Sequence, residues 1–285
     1  EVDCISGCIK QGGTAILVEF LVNSLSTDPF KLLASRSLAK ILVNTDPKLI
    51  FNKFSHLNAI PFLFDLIPSS DGSDLDAPIT TRDTYEALLA LTNLATIDDS
   101  DDLCKIIAQT PRYWDKLENL MLDETVQIQR SALELLCNLM VYPLPIAVKF
   151  FNFDNPKSVR NFNLLTKLLK LEDIQSQRAV VGMFANIAGT VPFIAQDLLH
   201  KNDLIDALID LLATQTTDRD LRQRLLFFFN ALISVASPNE KTELSNKKEL
   251  EEALKIASKW ELKNGEGEHS EVIASLLKKC SSVQH

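Results

Sequence analysis

The chain has 285 residues, 46% of them apolar, and a formal net charge of −9, an acidic balance that disfavours nucleic acid or anionic membranes as partners unless one face is locally basic. No apolar run approaches the roughly 20 residues that span a bilayer, and the first residues lack the basic-then-apolar pattern of a secretory signal. Five cysteines, an odd number without a paired framework, fit a reducing compartment. The composition therefore predicts a cytoplasmic protein, and eight glycines beside abundant Leu, Ala and Phe predict helices over strands.

Along the chain, six helix pairs are predicted. Their middle helices are 13–21, 59–67, 113–122, 163–171, 204–212 and 250–260. The longer partners are 30–42, 84–95, 127–140, 176–188, 221–235 and 270–279. In the fourth pair Leu164, Leu165, Leu168, Leu169 and Leu171 recur at the i, i+3, i+4 spacing of a face packed on its neighbours. Each longer helix carries one short phrase, such as Leu91-Thr92-Asn93-Leu94-Ala95 or Leu136-Cys137-Asn138-Leu139-Met140. Its key position holds Lys40, Asn93, Asn138, Asn186, Asn230 and Lys278, at gaps of 53, 45, 48, 44 and 48 residues. Self-similarity at this period marks a stack of helical units, none able to bury its own apolar face. Pro47, Pro145, Pro192 and Pro238 follow the key position by 7, 7, 6 and 8 residues and mark the start of a short first helix, with Asp46 as an N-cap before Pro47. Two independent registers thus agree on an all-α, armadillo-repeat, right-handed superhelical solenoid of about six units, a single domain over 1–285.

Residues 68–82 are expected to form a polar, mobile insertion in the second unit, and Lys263–Glu268 a flexible turn in the last. The last copy is polar and lysine-rich, as a cap facing water should be. The first opens at once on Ile5, Ile9, Ile16, Leu17 and Phe20. That end is expected to meet an N-terminal neighbour in a longer solenoid, or a second copy of the chain.

The helices Tyr85–Ala95 and Ala132–Met140, with Ala34-Ser35-Arg36-Ser37-Leu38-Ala39-Lys40-Ile41 upstream, closely resemble signature helices of the UCS-domain myosin chaperones. The likeness runs over roughly the whole chain and is strongest over 30–140. It implies a groove that engages the myosin motor domain and assists its folding or maintenance. Animal members of that family recruit a heat-shock ATPase chaperone through a tetratricopeptide domain, which these residues do not contain; fungal members lack it, and a fungal-type member fits.

In an armadillo stack the third helix of each unit lines the groove, so Asn93, Asn138, Asn186 and Asn230, with Lys40 at their head, are predicted to form a ladder. An asparagine amide supplies two donors and an acceptor, enough to hold an extended backbone whatever its side chains. The same amides could instead brace the neighbouring repeat. Arg130, Arg178 and Arg222 stand eight residues before their asparagines, and Arg36 one turn before Lys40. A cation at a helix start opposes the macrodipole, so another interaction must favour it: a basic strip for acidic client segments, or pairing with Glu124, Glu172, Asp173 or Asp220. Glu134 would hold Arg130 at i−4 or meet a basic group of the client. Tyr85 is an aromatic anchor or is packed under the insertion. Trp114 and Trp260 are expected in the core, and one ring of Phe227-Phe228-Phe229 at the surface.

Chemistry has little to stand on. Cys4 and Cys8 lack a second ligand pair for zinc, Gly12-Gly13 lacks the Lys-Ser/Thr of a phosphate loop, and His56, His200, His269 and His285 join no triad. Asp98–Asp102 suits a helix N-terminus. A non-enzymatic protein without cofactor or metal is expected. A transport adaptor like importin-α, reading basic import signals, is disfavoured: that family places tryptophan four residues before the ladder asparagine to seat lysine stems, and here those positions hold Leu89, Glu134, Gly182 and Leu226, with Arg36 in the first copy. A scaffold without chaperone action is the alternative to the myosin reading.

Overall fold

The structure, a computed structural model, describes residues 6–7, 9–25, 27–51, 55–69, 79–96, 101–142, 144–214, 218–264 and 269–281. Cys4, Cys8, most of the 68–82 insertion, Asp98–Ser100 and Gly265–Glu268 lie outside the described residues. Every regular element among those described is helical. The chain divides into two compact units, 1–146 and 147–285.

In the first unit, Gly12 precedes α1 (Gly13–Asn23) with φ 73°, a left-handed conformation that favours glycine. Then come α2 (Lys31–Asn44), 3₁₀ turns at Pro47–Leu49 and Ser55–Ala59, and α3 (Ile60–Phe64). Next are α4 (Thr81–Leu94), α5 (Asp101–Gln109), α6 (Pro111–Leu120) and α7 (Val126–Leu139). Asp46 caps the first turn by accepting from the Lys48 N–H, as its place before Pro47 predicts. The middle helix expected over 59–67 is cut to five residues, with Pro61 in its first turn and turns closing it by Ile67. Its last carbonyls are met from elsewhere. The buried Lys116 ammonium reaches the Phe64 carbonyl at 3.0 Å and also that of Ile67. The insertion ends at Thr80, which forms a capping box with Asp83 at the start of α4.

The long helices stack in sequence, α2 against α4 and α4 against α7. Leu38, Leu42, Leu88, Leu91, Leu133 and Leu136 are wholly buried in that stack. Trp114 lies in the core as expected. At the other end of the unit Ile16, Leu25, Phe30 and Leu33 are exposed, each by 60% or more.

A short helix, α8 (Leu144–Phe150), leads into the second unit. That unit holds α9 (Pro156–Leu168), α10 (Ile174–Thr190), α11 (Pro192–Leu199) and α12 (Asn202–Thr214). It continues with α13 (Arg219–Val235), α14 (Pro238–Asn246), α15 (Lys248–Asn264) and α16 (Ser270–Ser281). Here α10 packs on α13, α13 on α16, and α12 on α15. A run of edge-to-face rings, Phe151, Phe162, Phe184 and Phe228, joins these layers with centroids 5.9–6.4 Å apart.

Arg222 is fully buried. Its Nε donates to Glu261 Oε1 at 3.0 Å, and its guanidinium lies 4.2 Å from the Trp260 ring centroid. Trp260, expected in the core, is instead half-buried beneath that guanidinium. His269 completes the set: its backbone N–H donates to Glu261 Oε2 at 3.1 Å, and its Nδ1 lies 2.8 Å from Oε1. Removing only the cation strands a buried carboxylate. Arg222→Met should therefore lower unfolding stability in urea by about 3–5 kcal/mol, and Arg222→Met with Glu261→Gln should recover part of that loss.

Candidate partner-binding face

Burial of the leucine, isoleucine and phenylalanine stripes fixes which side of each long helix stays accessible. In the first unit Lys40 is exposed on α2, and Asn93 on α4 and Asn138 on α7 are half-buried at the matching turn. In the second, Asn186 on α10 and Asn230 on α13 are half-buried, and Lys278 on α16 is exposed. Inside each unit these positions are thus exposed or half-buried.

The amides do not all do the same work. Asn93 Nδ2 donates to the Leu42 carbonyl at 2.8 Å, in the last turn of α2, and so braces the preceding repeat. Asn138 makes no side-chain hydrogen bond among the described residues and keeps its full donor and acceptor set. Asn186 and Asn230 have partners within the protein.

The arginine register departs furthest from a free basic strip. Arg36 forks onto Asp83, with Nε–Oδ1 and Nη2–Oδ2 both 2.8 Å. Arg178 pairs with Asp218, its Nε 3.1 Å from Oδ1 and its Nη2 against Oδ2. These carboxylates were not among the partners the sequence suggested. Asp220 is instead taken by Arg224.

Both acids cap the next long helix. Asp83 closes the Thr80 box, and Asp218 accepts from the Leu221 N–H. An arginine at one helix start is therefore offset by the anion at the start of the next. Burial alone would raise both aspartate pKa values. The hydrogen bonds from Arg36 and Thr80 at Asp83, and from Arg178 and Leu221 at Asp218, outweigh it and hold both below the ordinary 3.8. Arg222 is buried and cannot face a partner. Arg130 is half-buried and has a partner of its own.

Glu134 is exposed and Tyr85 half-buried on the same side as the asparagines of α7 and α4. Among the three consecutive phenylalanines, Phe228 and Phe229 are wholly buried, and Phe227 is the exposed ring, at 53%. It lies one turn before Asn230, directly over Gly189 near the end of α10. A Cβ built on Gly189 would fall 2.6 Å from Phe227 Cε1. The sequence carries a signal for this: Leu221, Leu225, Phe228, Phe229 and Leu232 form the buried stripe and leave 227 outside it.

Stacked helical units with matched third helices define an armadillo-type repeat protein. A computationally designed armadillo repeat protein for modular peptide recognition superposes with a TM-score of 0.61 at 17% identity, over 94% of this chain and 97% of that one. No family model matches the chain.

Among individual proteins, SWI5-dependent HO expression protein 4 of Saccharomyces cerevisiae is 49% identical over 96% of this chain and 36% of its own length. The crystal structure of She4p superposes with a TM-score of 0.88 at 47% identity, over 97% of this chain and 38% of that one. The chain is thus a homologue of that yeast protein and spans little more than a third of its length. A UNC-45 chaperone, whose solved structure is described by features critical for binding and folding muscle myosin, shares the fold. Its TM-score is 0.72 at 17% identity, over 99% of this chain and 28% of that one. No helix among the described residues is long and apolar enough to cross a membrane.

The depressed carboxylates fix a pH dependence. A group whose folded pKa lies below its unfolded value stabilises fully above the unfolded pKa, here about 4, and loses that contribution as pH falls through the folded value. The stability gap between the wild type and Asp83→Asn should therefore be widest near neutrality and close below about pH 4, read by denaturant unfolding at several pH values. A gap constant across that range would show that the Arg36–Asp83 pair is not the cause.

Proposed function

We propose that this chain is the myosin-binding part of a UCS-domain chaperone of fungal type, and that its accessible inner-helix faces hold segments of a myosin motor domain. The observation that carries this reading is the 49% identity to the yeast homologue along nearly the whole chain. The shared fold with a UNC-45 chaperone described as binding and folding myosin supports it. The local chemistry fits. In the first unit an unengaged amide at Asn138 suits the backbone of an extended segment, exposed Lys40 and Glu134 suit its charges, and Tyr85 offers apolar anchorage; in the second unit Phe227 offers an apolar anchor of its own.

Holding exposed segments and releasing them lowers the free unfolded population of the client and so suppresses its aggregation. No chemical step is required of this chain. Energy for remodelling would come from a heat-shock ATPase recruited through regions outside it, and the site of action is the cytoplasm.

Asn138→Ala with Phe227→Ser should weaken binding to a recombinant motor domain at least about tenfold, or ~1.4 kcal/mol, with the melting temperature unchanged. Asn93→Ala should behave differently and cost about 1 kcal/mol of stability, because it removes the bond to Leu42. Titration by fluorescence anisotropy and thermal unfolding read the two effects. Undiminished motor-domain binding by the double variant would reject both of these long-helix faces as sites.

A further inference from the structure

Within the second unit, a cavity of about 760 Å³ opens among α9, the segment before it and the start of α12, with no lining residue from the long helices α10 and α13. Its floor is aromatic. Phe153 and Phe162 meet edge to face at 5.2 Å, and the Lys201 ammonium lies 3.7 Å from the Phe153 centroid. Its wall is basic: Lys167, Lys170 and Lys201 line it against one carboxylate, Asp203.

That sign is opposite to the net charge of −9 on the chain. Several lysines elsewhere are matched to acids, Lys105 to Asp101, Lys247 to Asp206 and Lys255 to Glu251. Lys167 and Lys170 have no ion pair among the described residues and are exposed. Lys201 is turned onto an aromatic face instead of a carboxylate. His200 at the rim is engaged by Glu240 at 3.3 Å. The cleft therefore retains unmatched positive charge over an apolar floor.

We infer that this cleft binds an acidic, extended segment of a partner protein, its carboxylates on Lys167 and Lys170 and one apolar side chain on the Phe153–Phe162 floor. A single carboxylate or phosphate would leave most of this volume and the aromatic floor unused, whereas a short peptide fills both. A polynucleotide would meet repulsion from the rest of an acidic surface. The start of α12 at Asn202 adds the positive end of a helix dipole to the same wall.

The test is fluorescence anisotropy on the whole chain. The probe is a short labelled peptide of aspartates and glutamates around one central leucine, titrated at low and at physiological salt. Saturable binding that weakens with salt is expected, and Lys167→Glu with Lys170→Glu should weaken it at least about tenfold with an unchanged melting temperature. If that variant unfolds, Lys167→Ala with Lys170→Ala provides the same reading with a smaller loss. Four outcomes would overturn the assignment: affinity unaffected by the substitutions, equal affinity for a peptide of reversed charge, competition by inorganic phosphate or an oligonucleotide at the concentration of the peptide, and loss of binding in the Asn138→Ala and Phe227→Ser variant. The last would place the peptide on the inner-helix face.

Discussion

Each long helix in this protein has an apolar stripe that only the adjacent repeat can cover, and the rest of the structure answers to that requirement. Leu88 and Leu91 reach zero exposure because α2 lies on one side of α4 and α7 on the other. The same holds for Leu225 and Phe228, with α10 and α16 on either side of α13. Stability is then a sum over repeats and the interfaces between neighbours. Polar groups at the edges of those interfaces need partners too, because an unsatisfied buried donor costs about 1–3 kcal/mol. The Asn93 amide on the Leu42 carbonyl, Arg36 on Asp83 and Arg178 on Asp218 are the local solutions. In the last two, one carboxylate both caps a helix and receives the arginine of the helix before it. A single anion thereby compensates two positively charged helix starts.

That use of polar side chains decides what remains for a partner. Asn93 and Asn138 occupy the same register, yet the first is committed to the stack and the second is not. Lys40 and Lys278 take the place of asparagine in the outermost copies and are exposed. The surface available for binding is therefore sparser than the sequence period implies. In the second unit Phe227 offers what the amides lack, an exposed apolar ring lying close against Gly189. A larger residue at 189 would displace that ring, so a glycine near the end of α10 and a phenylalanine on α13 form one feature.

The helices and their order were legible because periodic apolar stripes and proline starts are local signals, visible within a dozen residues. The shortened third helix was not, since its end depends on Lys116, roughly fifty residues on, supplying donors to carbonyls that a longer helix would have satisfied itself. The arginine register was legible as a pattern but not in its meaning. Arg36 finds its acid 47 residues away and Arg178 finds its own 40 away, and nothing in either helix specifies which carboxylate is met. Arg222 shows the limit most sharply. It shares the spacing of Arg130 and Arg178, yet Trp260 and Glu261 cover it because α15 brings an aromatic and an acid to that one position. Equal sequence register guarantees equal helix face, not equal burial.

Two chemically different surfaces follow from this architecture. The long helices leave the unengaged Asn138 amide accessible in the first unit and the Phe227 ring accessible in the second, groups that recognise backbone and apolar bulk with little regard for sequence. The cleft on α9 and α12 presents unmatched ammonium groups over phenylalanine, which discriminates by charge and is screened by salt. Within the second unit the cleft is lined from α9 and the start of α12, whereas Asn186, Asn230 and Phe227 lie on α10 and α13, so the two surfaces there draw on different helices. The proposed binding along the long helices and the proposed binding in the cleft would then depend on separate residues.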